Sequence, residues 1–284
     1  MVSMIRTLGW AAVASGATGA VAQLHAQGTL MPPALLAVSC EWVKPGMGPA
    51  HDQHEVAWAR ASEAVKGFAP TLAVQSATGP AETCWLTGVS SYDQLGRNND
   101  LYAKDPGYAA AMPSLYGNDA KFLSNARSYV AVLRPDLSAG EMPNVLTRRV
   151  TEWSEWRIRP GNGALFDAAA KAYTAAARRA GVTPEFRIFQ VVQGAPAGDT
   201  YWIFTSQTSM AGFDVMMAND PKIVAAFTPE DGKLFNDFFG KAVVSTNSNI
   251  WTYNPAQSAL TPEQRASDPF WKLKPKAKPA PKKP

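Results

Sequence analysis

The chain has 284 residues, 46% hydrophobic and 18% charged, enough core material for one large domain or two of ordinary size. Its formal net charge of +4 is local, because Lys272, Lys274, Lys276, Lys278, Lys282 and Lys283 crowd the closing "KLKPKAKPAPKKP" and leave the remainder mildly acidic. A basic groove that follows nucleic-acid phosphates is thereby excluded.

Residues 1–26 read as a signal peptide. Arg6 supplies the positive start, Leu8 to Ala22 a short apolar run, and small residues offer cleavage after Ala22 or Ala26. The run is too short and too rich in Gly and Ala for a membrane anchor, and nothing later is long and apolar enough to span a bilayer. The mature protein is expected to be exported, periplasmic or secreted, with no membrane span.

A β-branched and aromatic run from Leu36 to Val43 predicts the first strand. Lys44-Pro45-Gly46-Met47-Gly48 then turns the chain, since proline presets one φ and glycine permits a positive one. The helix that follows opens with "HDQHE": His51 and His54 share a face three residues apart, and Glu55 lies four beyond His51. Cys40 and Cys84 both fall in expected strands; a bridge and two buried thiols are equally compatible with an exported chain. With no CxxC and no adjacent histidine, neither a redox motif nor a zinc site is indicated. "NNDLYAKDPGYAAAMPSLYGNDAKF" is either a pocket cover, with Tyr102, Tyr108 and Tyr116 as contacts, or an irregular helical layer.

Val150 to Ile158 predicts a strand, Arg159-Pro160-Gly161-Asn162-Gly163 a turn, and "ALFDAAAKAYTAAARRAG" a helix with Phe166, Ala169, Ala170, Tyr173, Ala177 and Ala180 on one face. Gly181 suits its C-terminus, after Arg178 and Arg179. "FRIFQVVQ" and "TYWIFTSQ" are the next strands, "DPKIVAAF" and "GKLFNDFFGKAV" a helical region, and "NIWTYNP" a last strand.

The two Pro-Gly turns are one block of an internal repeat. At an offset of about 115 residues Trp58 falls on Tyr173; with small gaps, "ETCWLTGVSS" lies on "DTYWIFTSQT" so that Trp85 meets Trp202, "AKDP" on "ANDP", and "YVAVLRPDLS" on "IWTYNPAQS". Each copy reads β-α-β-β-α-β, the ferredoxin-like pattern, with one sheet face covered by helices and one left open. Two copies that pack their open faces together form an α+β pseudo-dimeric α/β barrel. The expected organisation is a signal peptide (1–26), a first ferredoxin-like repeat (35–140), a second (148–260) and a disordered Lys/Pro-rich tail (261–284).

On the turns at Lys44-Pro45-Gly46 and Arg159-Pro160-Gly161, followed by Trp58 or Tyr173, the chain resembles the dimeric α/β-barrel superfamily, especially its NIPSNAP-like members, as a fused tandem repeat over roughly Leu35 to Ser258. That resemblance implies a family with cofactor-free oxygenases, haem-degrading enzymes and dehydratases, without choosing among them.

His51, His54 and Glu55 are the candidate catalytic residues, as a base in a pocket or as the half-solvated rim of a helix; without a third histidine or HExxH no metal site is assigned. Trp58, Tyr102, Tyr108, Tyr173 and Trp202 are the candidate ligand contacts, suited to a small hydrophobic or aromatic molecule. Glu152, Glu155, Arg157, Arg159 and Arg187 are expected to pair across a wetted sheet face. The leading expectation is a small-molecule-binding or scaffold protein with no assigned cofactor. The alternatives are a cofactor-free oxygenase or lyase using His51 or His54, and an envelope protein whose tail binds anionic polymer.

Overall fold

The computed structural model describes residues 32–196 and 198–273. The expected signal peptide and the lysines from Lys274 onward lie outside them. Among the described residues no helix is long and apolar enough to cross a membrane.

The first half runs β1 (Leu35–Val43), α1 (Gly48–Ala64), β2 (Thr71–Ser76), β3 (Glu82–Val89), α2 (Tyr92–Lys104), α3 (Pro106–Phe122) and β4 (Leu123–Leu133). The second runs β5 (Val150–Ile158), α4 (Gly163–Arg179), β6 (Arg187–Gln193), β7 (Asp199–Gln207), α5 (Ala211–Ala225), α6 (Pro229–Asp237), a π turn at Phe238–Ala242 and β8 (Val243–Tyr253); a short α7 (Pro262–Ala266) follows. Each half is an antiparallel sheet ordered 4-1-3-2. β2 pairs with β8 and β4 with β6, closing the order β1-β3-β2-β8-β5-β7-β6-β4 into a barrel. Edge pairing thus joins the halves as well as face packing, and closure leaves no open sheet edge where the strands meet.

Local geometry repeats with the sequence. Gly46 and Gly161 adopt φ of 81° and 82°, a left-handed conformation that the Pro-Gly turn needs glycine to reach. Just beyond each bulge, Lys44 N donates to Phe122 O and Arg159 N to Ala242 O, both at 2.8 Å. One expected match fails. Cys40 pairs with Cys84, and its equivalent Glu155 pairs with Trp202, so Cys84 rather than Trp85 is the counterpart of Trp202. A shift of one residue in a strand reverses the face. Trp85 therefore looks out toward α1, with its ring 6.3 Å from that of His51, while Trp202 points into the barrel.

An eight-stranded barrel is just wide enough for side chains to fill. Trp153, Trp202 and Trp251 do so, with ring centroids 4.8 Å and 5.3 Å apart around Trp153. Cys40 and Cys84, directly opposite each other on β1 and β3, are joined by a disulfide.

The expected tail starts later than residue 261. Thr261 forms a capping box with Gln264, and Trp271 is fully buried in the core with its indole N–H donating to Leu146 O at 2.6 Å. Residues 261–273 are a structural strap across the barrel end. The expected charge pairing is also corrected, because none of Glu152, Glu155, Arg157, Arg159 and Arg187 forms an ion pair among the described residues. Glu155 accepts from Trp202 Nε1 at 3.0 Å, and buried Arg187 donates to the carbonyls of Ala139, Phe186, Gly140 and Glu141, which pins the linker between halves. Backbone carbonyls satisfy a buried guanidinium as a carboxylate would, without a second desolvated charge.

Candidate functional site

Both halves have a layer between the outer sheet face and the helices, and the sequence treats the two layers differently. In the second half β5 sends Glu152, Ser154 and Trp156 outward, while α4 presents Phe166, Ala170 and Tyr173. The small Ala169 and Ala170 leave space, and a cavity of about 520 Å³ opens between β5, β7, α4, α5 and α6. Its walls are mostly apolar, with a few convergent polar groups, the usual make-up of a small-molecule site. Burial holds the Glu152 carboxyl above the usual carboxylate range; nearby Asp220 adds to this, and a hydrogen bond from Ser248 opposes it. Tyr173 donates its hydroxyl to Asp220 Oδ1 at 3.3 Å, and burial, reinforced by Asp220, pushes its phenol up to about 12.

The described lining of this cavity contains no histidine or cysteine. Its phenol is held protonated, and the sulfur of Met216 is contacted by the Gln207 amide at 3.4 Å. Haem iron is ordinarily held by His, Cys, Met with His, or a tyrosinate. This donor set does not fit that group.

In the first half the same layer is filled by polar side chains. His51 is completely buried and Glu55 nearly so, at 0% and 4% exposed, which corrects the expectation of a half-solvated rim. His51 Nε2 lies 2.9 Å from Glu41 Oε2 on β1 and 3.8 Å from Glu55 Oε1. Burial, with Glu41, Asp119 and Asp52 around it, pushes the Glu55 carboxyl up to about 9. Held neutral, and too far away for a hydrogen bond, Glu55 makes a polar contact with His51 rather than an ion pair. His54 Nε2 lies 2.7 Å from Asp119 Oδ1 on α3 and 3.2 Å from Trp58 Nε1, which donates to it. Asp119 Oδ1 and Trp58 Nε1 compete for this one ring nitrogen, which donates to the carboxylate in one tautomer and accepts from the indole in the other.

The candidate ligand contacts do not form one site. Trp58, Tyr102 and Tyr108 cluster in the first half, Tyr102 and Tyr108 lining a shallow recess with Tyr116 and the Tyr102–Tyr108 centroids 4.9 Å apart. α2 and α3 form the helical layer, with Pro113 inside α3 and Asp105 capping α3 through Tyr108 N. Tyr173 lines the second-half cavity, and Trp202 belongs to the barrel core. His51, His54 and Glu55 line neither cavity. Sequence reading passed over Glu41, Asp119 and Asp220. Glu41 stood inside a strand, Asp119 ended an irregular-looking segment, and only the "ANDP" block marked Asp220.

The sequence matches no family model and no curated protein. Among solved structures the chain is similar to an anthrone oxidase-like protein, with a TM-score of 0.51 and 11% identity over 79% of this chain and 93% of that one. It is also similar to chlorite dismutase from Candidatus Nitrospira defluvii (0.45, 10%, 79% and 92%) and to a haem-binding protein from Thermus thermophilus (0.42, 12%, 82% and 96%). At such identities the likeness is one of fold: the chain is a pseudo-dimeric α+β barrel built from two similar halves.

Proposed function

We propose that this protein is an exported, small-molecule enzyme of the cofactor-free oxygenase or lyase class, with its substrate in the second-half cavity. One observation carries the reading: Glu152 sits in the wall of an apolar cavity, opposite Tyr173 and Asp220, with its proton affinity raised by burial. A carboxylate raised toward neutrality is a stronger base, suited to taking a proton from an activated C–H or O–H. Tyr173, kept protonated, can swing its hydroxyl from Asp220 to donate to the oxygen of the resulting anion. The aromatic and aliphatic walls favour a planar, ring-bearing compound. Dioxygen is the second reactant of an oxygenase; a lyase needs none.

His51 and His54 serve this reading less well as bases, because neither cavity reaches them. Export is supported by the Cys40–Cys84 bridge, since such bonds persist in oxidising compartments. The paired Pro-Gly turns support a NIPSNAP-like tandem duplication as the origin of the two halves.

Anthrone is a natural first probe, given the anthrone oxidase-like protein of the same fold. The mature chain is titrated with anthrone and a panel of polycyclic phenols and ketones, following melting temperature and oxygen uptake. Saturable stabilisation is expected and is lost when Ala170→Trp fills the cavity; Glu152→Gln keeps binding and loses turnover. A folded protein that no member of the panel stabilises would overturn the reading.

A further inference from the structure

The polar centre of the first half is separate from that cavity and has its own chemistry. Its acidic groups come from three elements, Glu41 from β1, Asp52 and Glu55 from α1, and Asp119 from α3, while β3 contributes Trp85 and β2 the Gln75 amide that donates to Asp52. No Lys or Arg pairs with Glu41, Glu55 or Asp119 among the described residues; the only basic groups in contact with them are His51 and His54. Two buried atoms, His51 Nδ1 and Glu55 Oε1, have no hydrogen-bond partner, and Glu55 Oε1 is the atom that faces His51 Nε2. An orphaned carboxyl oxygen in a buried site is costly, so it requires a reason.

We infer that Glu41, His51 and Glu55 form a binding site for a divalent transition-metal ion, which Glu55 shares with His54 and Asp119. In each of these two trios, one ligand atom per residue lies within 4.8 Å of the others. Ligands about 2.0–2.2 Å from a tetrahedral ion stand roughly 3.3–3.6 Å from one another. The 2.9 Å and 3.8 Å separations around His51 Nε2 bracket that spacing. Mixed imidazole and carboxylate donors without thiolate suit the zinc, manganese and iron group. Asp119 and Glu41 keep side-chain exposures of 17% and 14%, which gives the ion an edge to enter by.

The second half supplies an internal control. In the register fixed by the paired turns, Glu41, His51, Glu55 and Asp119 correspond to Trp156, Phe166, Ala170 and Phe239. There the rings pack on one another, with Trp156 centroids 6.5 Å from Phe166 and 5.9 Å from Phe239. The fold therefore does not require the polar set at these positions.

Metal-stripped full chain is titrated with Co²⁺, reading visible absorption and metal content, followed by competition with Zn²⁺. Saturable binding is expected at one ion per chain, or two if the His54–Asp119 arm fills, with no thiolate charge-transfer band and with displacement by Zn²⁺. Glu55→Gln and His51→Phe weaken binding beyond the ~10–100-fold that losing an outer-shell partner costs. His51→Phe copies Phe166, and its melting temperature and circular dichroism report whether it folds. Glu152→Gln binds as the parent does. No saturable binding by a folded chain, or binding that survives both substitutions, overturns the inference and leaves the cavity reading untouched.

Discussion

His51 and Phe166 hold the same place in the two halves, one buried against Glu41 and the other stacked on Tyr201 at 3.8 Å between ring centroids. The substitution changes what the layer between sheet and helices can do. A polar set fills it in one half; in the other, aromatic rings and two alanines leave a cavity. If the polar set is held for a ligand rather than for stability, an apolar replacement should stabilise the metal-free protein. Glu55→Leu removes a buried carboxyl oxygen with no partner and is expected to add about 1 kcal/mol. For a chain of this size that raises the melting temperature by roughly 2–4 °C, measured in chelator.

Filling the other layer tests the cavity directly. Ala170→Phe places a ring where Glu55 stands in the first half, against Trp156 and Tyr173. Overpacking typically costs about 1–3 kcal/mol, yet the empty volume here receives the ring. The melting temperature is expected to change by less than that cost implies, while stabilisation by ring-bearing compounds disappears. Isothermal titration separates the two effects.

The strap at residues 261–273 predicts a large loss. Trp271 is fully buried against Tyr253 and Phe270, and Arg265 ties the strap to Glu63 on α1 and to the carbonyls of Pro255, Ser258 and Trp271. Trp271→Ala is expected to cost about 3–5 kcal/mol in denaturant unfolding, as a large side chain deleted from a core does. Composition hid this segment. "TPEQRASDPFW" resembles a polar linker, and its one capping box and its Asp268 cap are local, but only the barrel end shows where Trp271 goes.

Other parts of the fold were legible for identifiable reasons. The Pro-Gly turns and the apolar alternation of β1 and β5 are local, so strand, turn and helix could be read directly. The first residues of β4 and β8, "LSNARS" and "VVSTNSN", are mostly exposed and polar, and their pairing with β1 and β5 is visible only in three dimensions. The polar centre was half legible: the helix spacing of His51, His54 and Glu55 stood in the sequence, but Glu41 and Asp119 come from other elements. Trp85 and Trp202 misled because aligning identical residues placed the strands one position out of register.

The Cys40–Cys84 bridge closes a loop of 44 residues in sequence separation. Restricting the unfolded chain in this way contributes about 2–4 kcal/mol. The Cys40→Ala/Cys84→Ala variant is expected to lose that amount in urea, and a reductant should lower the parent to the same level without affecting the variant. Equal stability with and without reductant would show that the bridge constrains nothing.

Inside the barrel, Glu82 alternates with Cys84 on the inward face of β3 and is close enough to Glu155 to feel its charge. Burial first, and Glu155 second, push the Glu82 carboxyl from 4.5 to about 7, against the opposing pull of Arg127. A carboxyl with a higher pKa in the folded state than in the unfolded one binds more protons when folded across that interval. Its contribution is complete below the unfolded value and is lost as pH rises through the folded one. Glu82→Gln keeps the shape and cannot ionise. Its melting temperature is expected to match or fall below the parent's near pH 4.5 and to exceed it above about pH 8, with the curves crossing between 4.5 and about 7. The increment is small, because Glu82 retains some contact with water at the barrel mouth, but its sign is fixed. Trp202 sharpens the test: its indole N–H holds Glu155 in place at 3.0 Å, so Trp202→Phe frees that carboxylate to move away and should flatten the parent's slope over the same interval.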